Sequence, residues 1–143
     1  MIYLGWERVK QRGYVRVIAS IPFIYGMLVP LWVMDVSTRI YQRVCFPLYG
    51  ITLVDRRKYV RPGLRGKKMM HPWDVLNCYY CGYANGVVMF MREVLAQTER
   101  YWCPLRHAKL NGFVEPPHHA DFVPDNRPKE LMEKIRETAG RDD

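Results

Sequence analysis

The side chains best suited to chemistry in this chain are four cysteines and four histidines. Cys78 and Cys81 stand in NCYYCGY with C-x-x-C spacing, and Cys103 and His107 stand in YWCPLRH, four positions apart. In a zinc knuckle two thiolates converge on the metal. The glycine that follows, here Gly82, lets the chain turn so that backbone N–H groups point at sulfur. One helical turn would set Cys103 and His107 on a common face. Three thiolates and one imidazole fill all positions of a tetrahedral zinc ion and leave none open for hydrolysis. The expectation is a closed structural zinc site on Cys78, Cys81, Cys103 and His107.

Other donors rank lower. Cys45 becomes a fourth thiolate only if the helix that carries it folds back onto the pair, and an iron site of the all-cysteine kind would need it. His71 precedes Pro72, and His118 and His119 follow two prolines. All three are reserve ligands. Adjacent residues of an extended chain point apart, so at most one of His118 and His119 would join a given site. Copper(I), a soft ion, is a further alternative in a chain with Met69 and Met70 beside the pair. Two other readings of the pair stay open. One is a redox dithiol whose thiolate is favoured by a helix N-terminus, although no βαβ context surrounds it. The other is four inert thiols.

The positioning elements are legible in part. Val87, Met91, Val94, Leu95, Thr98, Tyr101 and Trp102 share one face of an amphipathic helix over 87–102, with Arg92, Glu93, Glu99 and Arg100 mostly on the other. If straight, that helix is about 24 Å long. The six residues from Cys81 to Val87 reach about 20 Å, so closing one site across it is only just feasible. Asn85-Gly86 is a turn signal that would help the reversal.

The chain has 143 residues and a net charge of +8, with 49% apolar and 25% charged residues. That suits one modest folded domain and excludes a disordered chain. Four cysteines are too few for a disulfide scaffold. There is no P-loop, dinucleotide fingerprint, G-x-S-x-G, H-E-x-x-H or C-x-x-C-H. Residues 1–77 hold 13 basic and 4 acidic side chains, and residues 78–143 hold 9 and 10. The excess charge thus lies beside the most apolar stretch, a pairing that points to a membrane surface before nucleic acid.

That stretch, Val17–Met34, is 18 residues without charge, close to the shortest length that spans a bilayer. It contains Pro22, Gly26 and Pro30, and Tyr14, Tyr25 and Trp32 suit interfaces. It lacks a signal-peptidase site, so it is read as retained. A kinked membrane helix is expected, with a re-entrant or interfacial helix as the alternative. Residues 35–46 read as an interfacial helix stopped by Pro47 and Gly50. Residues 51–54 read as a short extended segment. Arg56, Arg57, Lys58, Arg61, Arg65, Lys67 and Lys68 form a basic run suited to anionic headgroups, each worth roughly 1 kcal/mol near such a surface. The resulting plan is mainly α. Residues 1–54 are a membrane anchor and interfacial helix, 55–76 a basic linker, 77–110 a Cys/His module with its helix, and 111–143 a proline-rich linker with a short terminal helix over 127–138.

The blocks DVSTRIYQRVCFPLYGI (35–51), NCYYCGYANG (77–86) and TERYWCPLRHA (98–108) resemble those of an uncharacterised family of small bacterial membrane-associated proteins, with YQxxCFPxYGI, NCxYCGYANG and YWCPxxH motifs. The likeness covers roughly residues 20–120. It implies that Cys45, Cys78, Cys81, Cys103 and His107 are motif positions, and it implies no reaction. The chain departs from the family in RPGLRGKKMMHPWD and in its proline-rich tail.

Together these features describe a non-enzymatic accessory subunit of a larger membrane protein complex, anchored in the bacterial inner membrane with its C-terminal module in the cytoplasm. Zinc is the expected cofactor, and anionic lipid a second partner. The abundance of Tyr, Trp and Arg suits interfaces. The alternative is a membrane-anchored redox or metal-handling protein. Nucleic-acid binding ranks last, because the cysteine half carries no positive excess.

Overall fold

A computed structural model describes residues 9–61, 63, 71–106, 108 and 111–139. The fold is mainly α, as the patterning implies. Four helices, α1 (Tyr14–Gly26), α2 (Leu28–Leu48), α3 (Pro72–Trp102) and α4 (Pro128–Ala139), are joined by 3-10 turns at Arg56–Lys58 and Pro117–Asp121. Two short strands, β1 (Leu105–Arg106) and β2 (Val123–Pro124), complete the described elements. They fall into two compact units. One is drawn from the chain up to Ile40 and from Val54–Met91, the other from Tyr41–Leu53 and from Arg92 onward.

Helices α1 and α2 form one bent apolar rod. Leu31 N–H donates to the Met27 carbonyl across the bend (3.2 Å). The bend has a covalent cause. Pro30 has no N–H to offer the Gly26 carbonyl, and its ring would crowd that carbonyl, so the ladder opens there. The expected division into a helix over 17–34 and a second over 35–46 is shifted: the break falls at Met27, and α2 runs on to Leu48. Pro47 is accommodated in its last turn and Gly50 follows with φ 63°.

The larger departure is α3. Pro72 opens it at a position where a missing N–H costs nothing, and Asp74 in its first turn suits the positive end of the helix dipole. Trp73 N–H donates to His71 Nδ1 (3.5 Å), so His71 stands at the helix start. No proline interrupts the chain until Pro104. The helix therefore runs 31 residues, about 46 Å, and takes in both the C-x-x-C pair and the Asn85-Gly86 turn signal. Gly86 serves close approach instead of reversal. A Cβ there would stand 2.8 Å from the Tyr59 carbonyl oxygen and 2.8 Å from Val60 Cα, so the backbone after the first 3-10 turn lies directly on the helix.

The first unit buries Leu31, Val60, Val87 and Phe90. Its polar centre is Asp35, 2% exposed. Arg56 grips this carboxylate with both arms, Nε donating to Oδ1 (2.8 Å) and Nη2 to Oδ2 (2.7 Å). Tyr83 Oη–H donates to Oδ2 (3.2 Å), and Arg39 lies 3.5 Å from Oδ1. Burial first, and then the charge of Asp35, push the Tyr83 phenol above its ordinary pKa and keep it a donor. Asp55 caps the 3-10 turn by accepting from Arg57 N–H (3.0 Å), which sets Arg56 facing α2. Tyr25 Oη–H donates to Asn77 Oδ1 (2.6 Å).

The second unit buries Phe46, Val94, Ala96, Phe122 and Val123. The Tyr41 and Thr98 hydroxyls hydrogen-bond (3.0 Å), and the Tyr49 ring meets Trp102 edge-on at 5.0 Å. β1 and β2 pair in parallel, Leu105 with Val123 and Arg106 with Pro124. Arg106 clamps Glu115 through two bonds of 2.6 and 2.7 Å. The expected linker over 111–128 is thus partly ordered by a 3-10 turn and a strand.

Two substitutions test this packing. Gly86→Ala, which helix propensity alone would favour, should destabilise the protein by about 1–3 kcal/mol through collision with the Tyr59–Val60 backbone. Denaturant titration in mild detergent measures it, and a gain in stability would unseat that backbone from α3. Arg56→Met should cost about 2–3 kcal/mol by stripping a buried carboxylate of its bidentate partner. Adding Asp35→Leu should recover part of that loss, because no charge then remains to be solvated.

Candidate functional site

The structure does not assemble the expected cysteine site. Cys78 and Cys81 lie inside α3, where no turn brings the chain back, and Cys103 follows the end of the same helix. His107 lies outside the described residues. The Gly82 that was to shape a knuckle is helical instead. The length objection raised by the sequence holds with more force, because the helix extends fifteen residues further toward the N-terminus than the apolar face indicated, from 87 to 72. Cys78 and Cys81 sit in the second and third turns of α3, beyond the first turn where the helix dipole would favour a thiolate. All four cysteines are free thiols; Cys81 and Cys103 are exposed, and Cys45 and Cys78 are half-buried.

A different group converges in the second unit. Among the described residues, Glu99, His118 and His119 are the cluster of His, Cys, Asp or Glu whose donor atoms come together, all within 4.8 Å of one another. Glu99 sits in the last turn of α3, where its carbonyl accepts from Cys103 N–H (2.8 Å). His118 and His119 sit in the 3-10 turn that opens at Pro117. Pro116 and Pro117 fix φ there, and the turn is closed by His119 N–H donating to Pro116 (3.0 Å) and Phe122 N–H to His119 (3.0 Å). In this tight turn the two imidazoles reach one point, which an extended chain would forbid.

His118 Nε2 donates to Glu99 Oε2 (2.7 Å) and His119 Nε2 to Oε1 (3.1 Å). The two rings meet at 90°, and Phe122 stacks on His119 at 4.8 Å and 22°. His119 is 1% exposed, His118 12% and Glu99 35%. Burial alone would raise the Glu99 pKa. The hydrogen bonds from the two rings and their electrostatic attraction outweigh it and hold the carboxyl below its ordinary range. The carboxylate is therefore ionised in neutral solution. Beside the cluster, a cavity of about 390 Å³ is lined by Tyr49, Arg100, Tyr101, Phe122 and Lys134, among others.

Comparison with protein-family models, with curated proteins and with solved structures finds no match. What the site can do rests on its own atoms.

The basic run is divided. Arg56 is paired with Asp35 and stays half-buried. Arg57, Lys58 and Arg61 are exposed. Arg65, Lys67 and Lys68 lie outside the described residues. Glu99 was missed by sequence reasoning because it looked like one more charge on a solvated helix face. The available signal was the Pro-Pro ahead of His-His, which favours a tight turn over an extended chain.

An exposed thiol within a helix contributes little to folding. Cys81→Ser should change stability by no more than about 0.5 kcal/mol and leave the helical circular dichroism intact. A collapse of α3 in that variant would restore the cysteine cross-link.

Proposed function

We propose that this chain is a membrane-anchored, non-enzymatic accessory subunit of a larger membrane protein complex. The observation that carries the reading is the bent apolar helix Tyr14–Leu48. Its mean hydropathy over the most apolar window is 2.0, and only 6% of that window is buried. By length and composition it can cross a membrane, although a signal sequence passes the same test. Val15, Ile18, Ile21, Phe23 and Ile24 are all exposed, with Phe23 at 80%. At 100° per residue they are spread around α1, apart from the edge where Tyr25 meets Asn77 and Tyr80. Apolar side chains spread so widely around a helix suit lipid, whereas a single docking partner would require only a stripe.

The orientation follows from charge. Arg39, Arg43, Arg56, Arg57, Lys58 and Arg61 come after the charge-free stretch, ahead of further basic residues, and outnumber the four before it, Arg8, Lys10, Arg12 and Arg16. The positive-inside tendency supports a cytoplasmic C-terminal part in a bacterial inner membrane. The exposed Arg57, Lys58 and Arg61 would lie near anionic headgroups. Exposed Trp32, Trp73 and Trp102 offer the aromatic anchors that partner interfaces use.

Fractionation tests the anchor. The full-length protein should pellet with membranes and resist both high salt and alkaline carbonate. Ile21→Arg combined with Phe23→Arg, at about 2.5–3.5 kcal/mol per charge in the bilayer core, should release it or make it aggregate. Wild-type protein in the soluble fraction, or an intact mass that lacks the N-terminal segment, overturns the anchor. Solubilised in mild detergent, the protein should co-purify with a defined larger assembly, and a monodisperse lone chain counts against the subunit role.

A further inference from the structure

The Glu99–His118–His119 cluster has the composition of a metal site, and none of its residues belongs to the helix Tyr14–Leu48. We propose that these three side chains bind one divalent first-row metal ion, zinc in the first instance, through His118 Nε2, His119 Nε2 and a Glu99 carboxylate oxygen.

Geometry is the first support. A tetrahedral ion 2.0–2.1 Å from nitrogen and oxygen donors needs those donors about 3.3 Å apart. The two N···O separations are 2.7 and 3.1 Å, each to a different oxygen of Glu99, and the donor atoms lie within 4.8 Å of one another, so seating an ion calls for the widest pair to close by up to about 1.5 Å. The atoms that now form these hydrogen bonds are the atoms that would become ligands, each ring then carrying its single proton on Nδ1 while Nε2 faces the ion.

Rigidity is the second. The prolines and the 3-10 turn fix the backbone of both histidines, and Phe122 holds the His119 ring by stacking. Ligands held by packing lose little freedom on binding. Glu99 is anchored in the last turn of a long helix, so the third donor is also placed before the ion arrives.

Chemistry is the third. Two imidazoles and one carboxylate suit zinc and its harder first-row neighbours, whereas copper(I) would want sulfur. The donors are all from the protein, and three of them leave a fourth position for water. The partly exposed Glu99 gives an ion a route in.

The test uses full-length protein in mild detergent, stripped with a chelator and titrated with zinc against a chromophoric competitor. One zinc per chain is expected. Glu99→Gln, His118→Asn and His119→Asn should each weaken binding by at least about tenfold. Combined replacement of Cys78, Cys81 and Cys103 by serine should leave affinity unchanged. Saturable zinc that survives Glu99→Gln, or the absence of saturable zinc, overturns the proposal. Should a variant fail to fold, the wild-type protein loaded with cobalt(II) decides. Visible d–d bands without thiolate-to-cobalt charge transfer in the near ultraviolet support the Glu/His ligands, and a thiolate band overturns them. Neither readout depends on membrane insertion, so failure of the anchor and failure of the metal site are distinguishable.

Discussion

A carboxylate taken out of water must be met by charge and hydrogen bonds where it stands. In this protein that demand falls on Asp35, at the end of the charge-free stretch, and the first unit is organised around meeting it. Arg56 supplies two donors from the loop after α2, and Tyr83 supplies a third from α3. One side chain thus ties together a long helix, a connecting turn and a second long helix. The bare glycine at position 86, three residues past Tyr83, completes the same arrangement by letting the connecting backbone lie flat on α3. Apolar burial in this unit is modest, which makes the polar tie a specifying contact more than a source of bulk stability.

The other organising fact is the continuity of α3. A helix without a break carries its residues away from one another at a fixed rate, whatever their spacing in the sequence suggests. C-x-x-C followed by glycine is a turn signature only if the chain leaves the helix, and nothing in NCYYCGYANG obliges it to do so. Tyrosine, cysteine and asparagine are indifferent helix formers, and the flanking segments are better ones. Tertiary contact at Gly86 then favours the continuous form. The described cysteines of the expected site are therefore spread along one helix and its end instead of clustered.

The apolar N-terminal helix and the terminal helix were legible because each writes its length or period directly into the residues, whereas the face from Val87 onward was legible in part: Val87 and Val94 are buried, but Leu95 and Trp102 are exposed and Phe90 and Ala96 are buried in their stead. The cluster of Glu99 with His118 and His119 was not. It joins a helix end to a turn some twenty residues later, and no periodic pattern records such a meeting. The ion pair of Asp35 with Arg56 was hidden for a similar reason. Within a basic run, the arginine that turns inward looks like its neighbours, and only the cap at Asp55 distinguishes its direction.

The order of the partners along the chain bears on how the protein is made. Asp35 precedes Arg56 by 21 residues and Tyr83 by 48. In a chain that emerges from its N-terminus, the charge-free stretch up to Met34 is complete while the carboxylate that borders it has only Arg39, one turn on, for company. An ionised carboxylate without its partner keeps its hydration until the arginine arrives. The same negative charge is thus a hydrated group until Arg56 is made and a clasp between helices once it is.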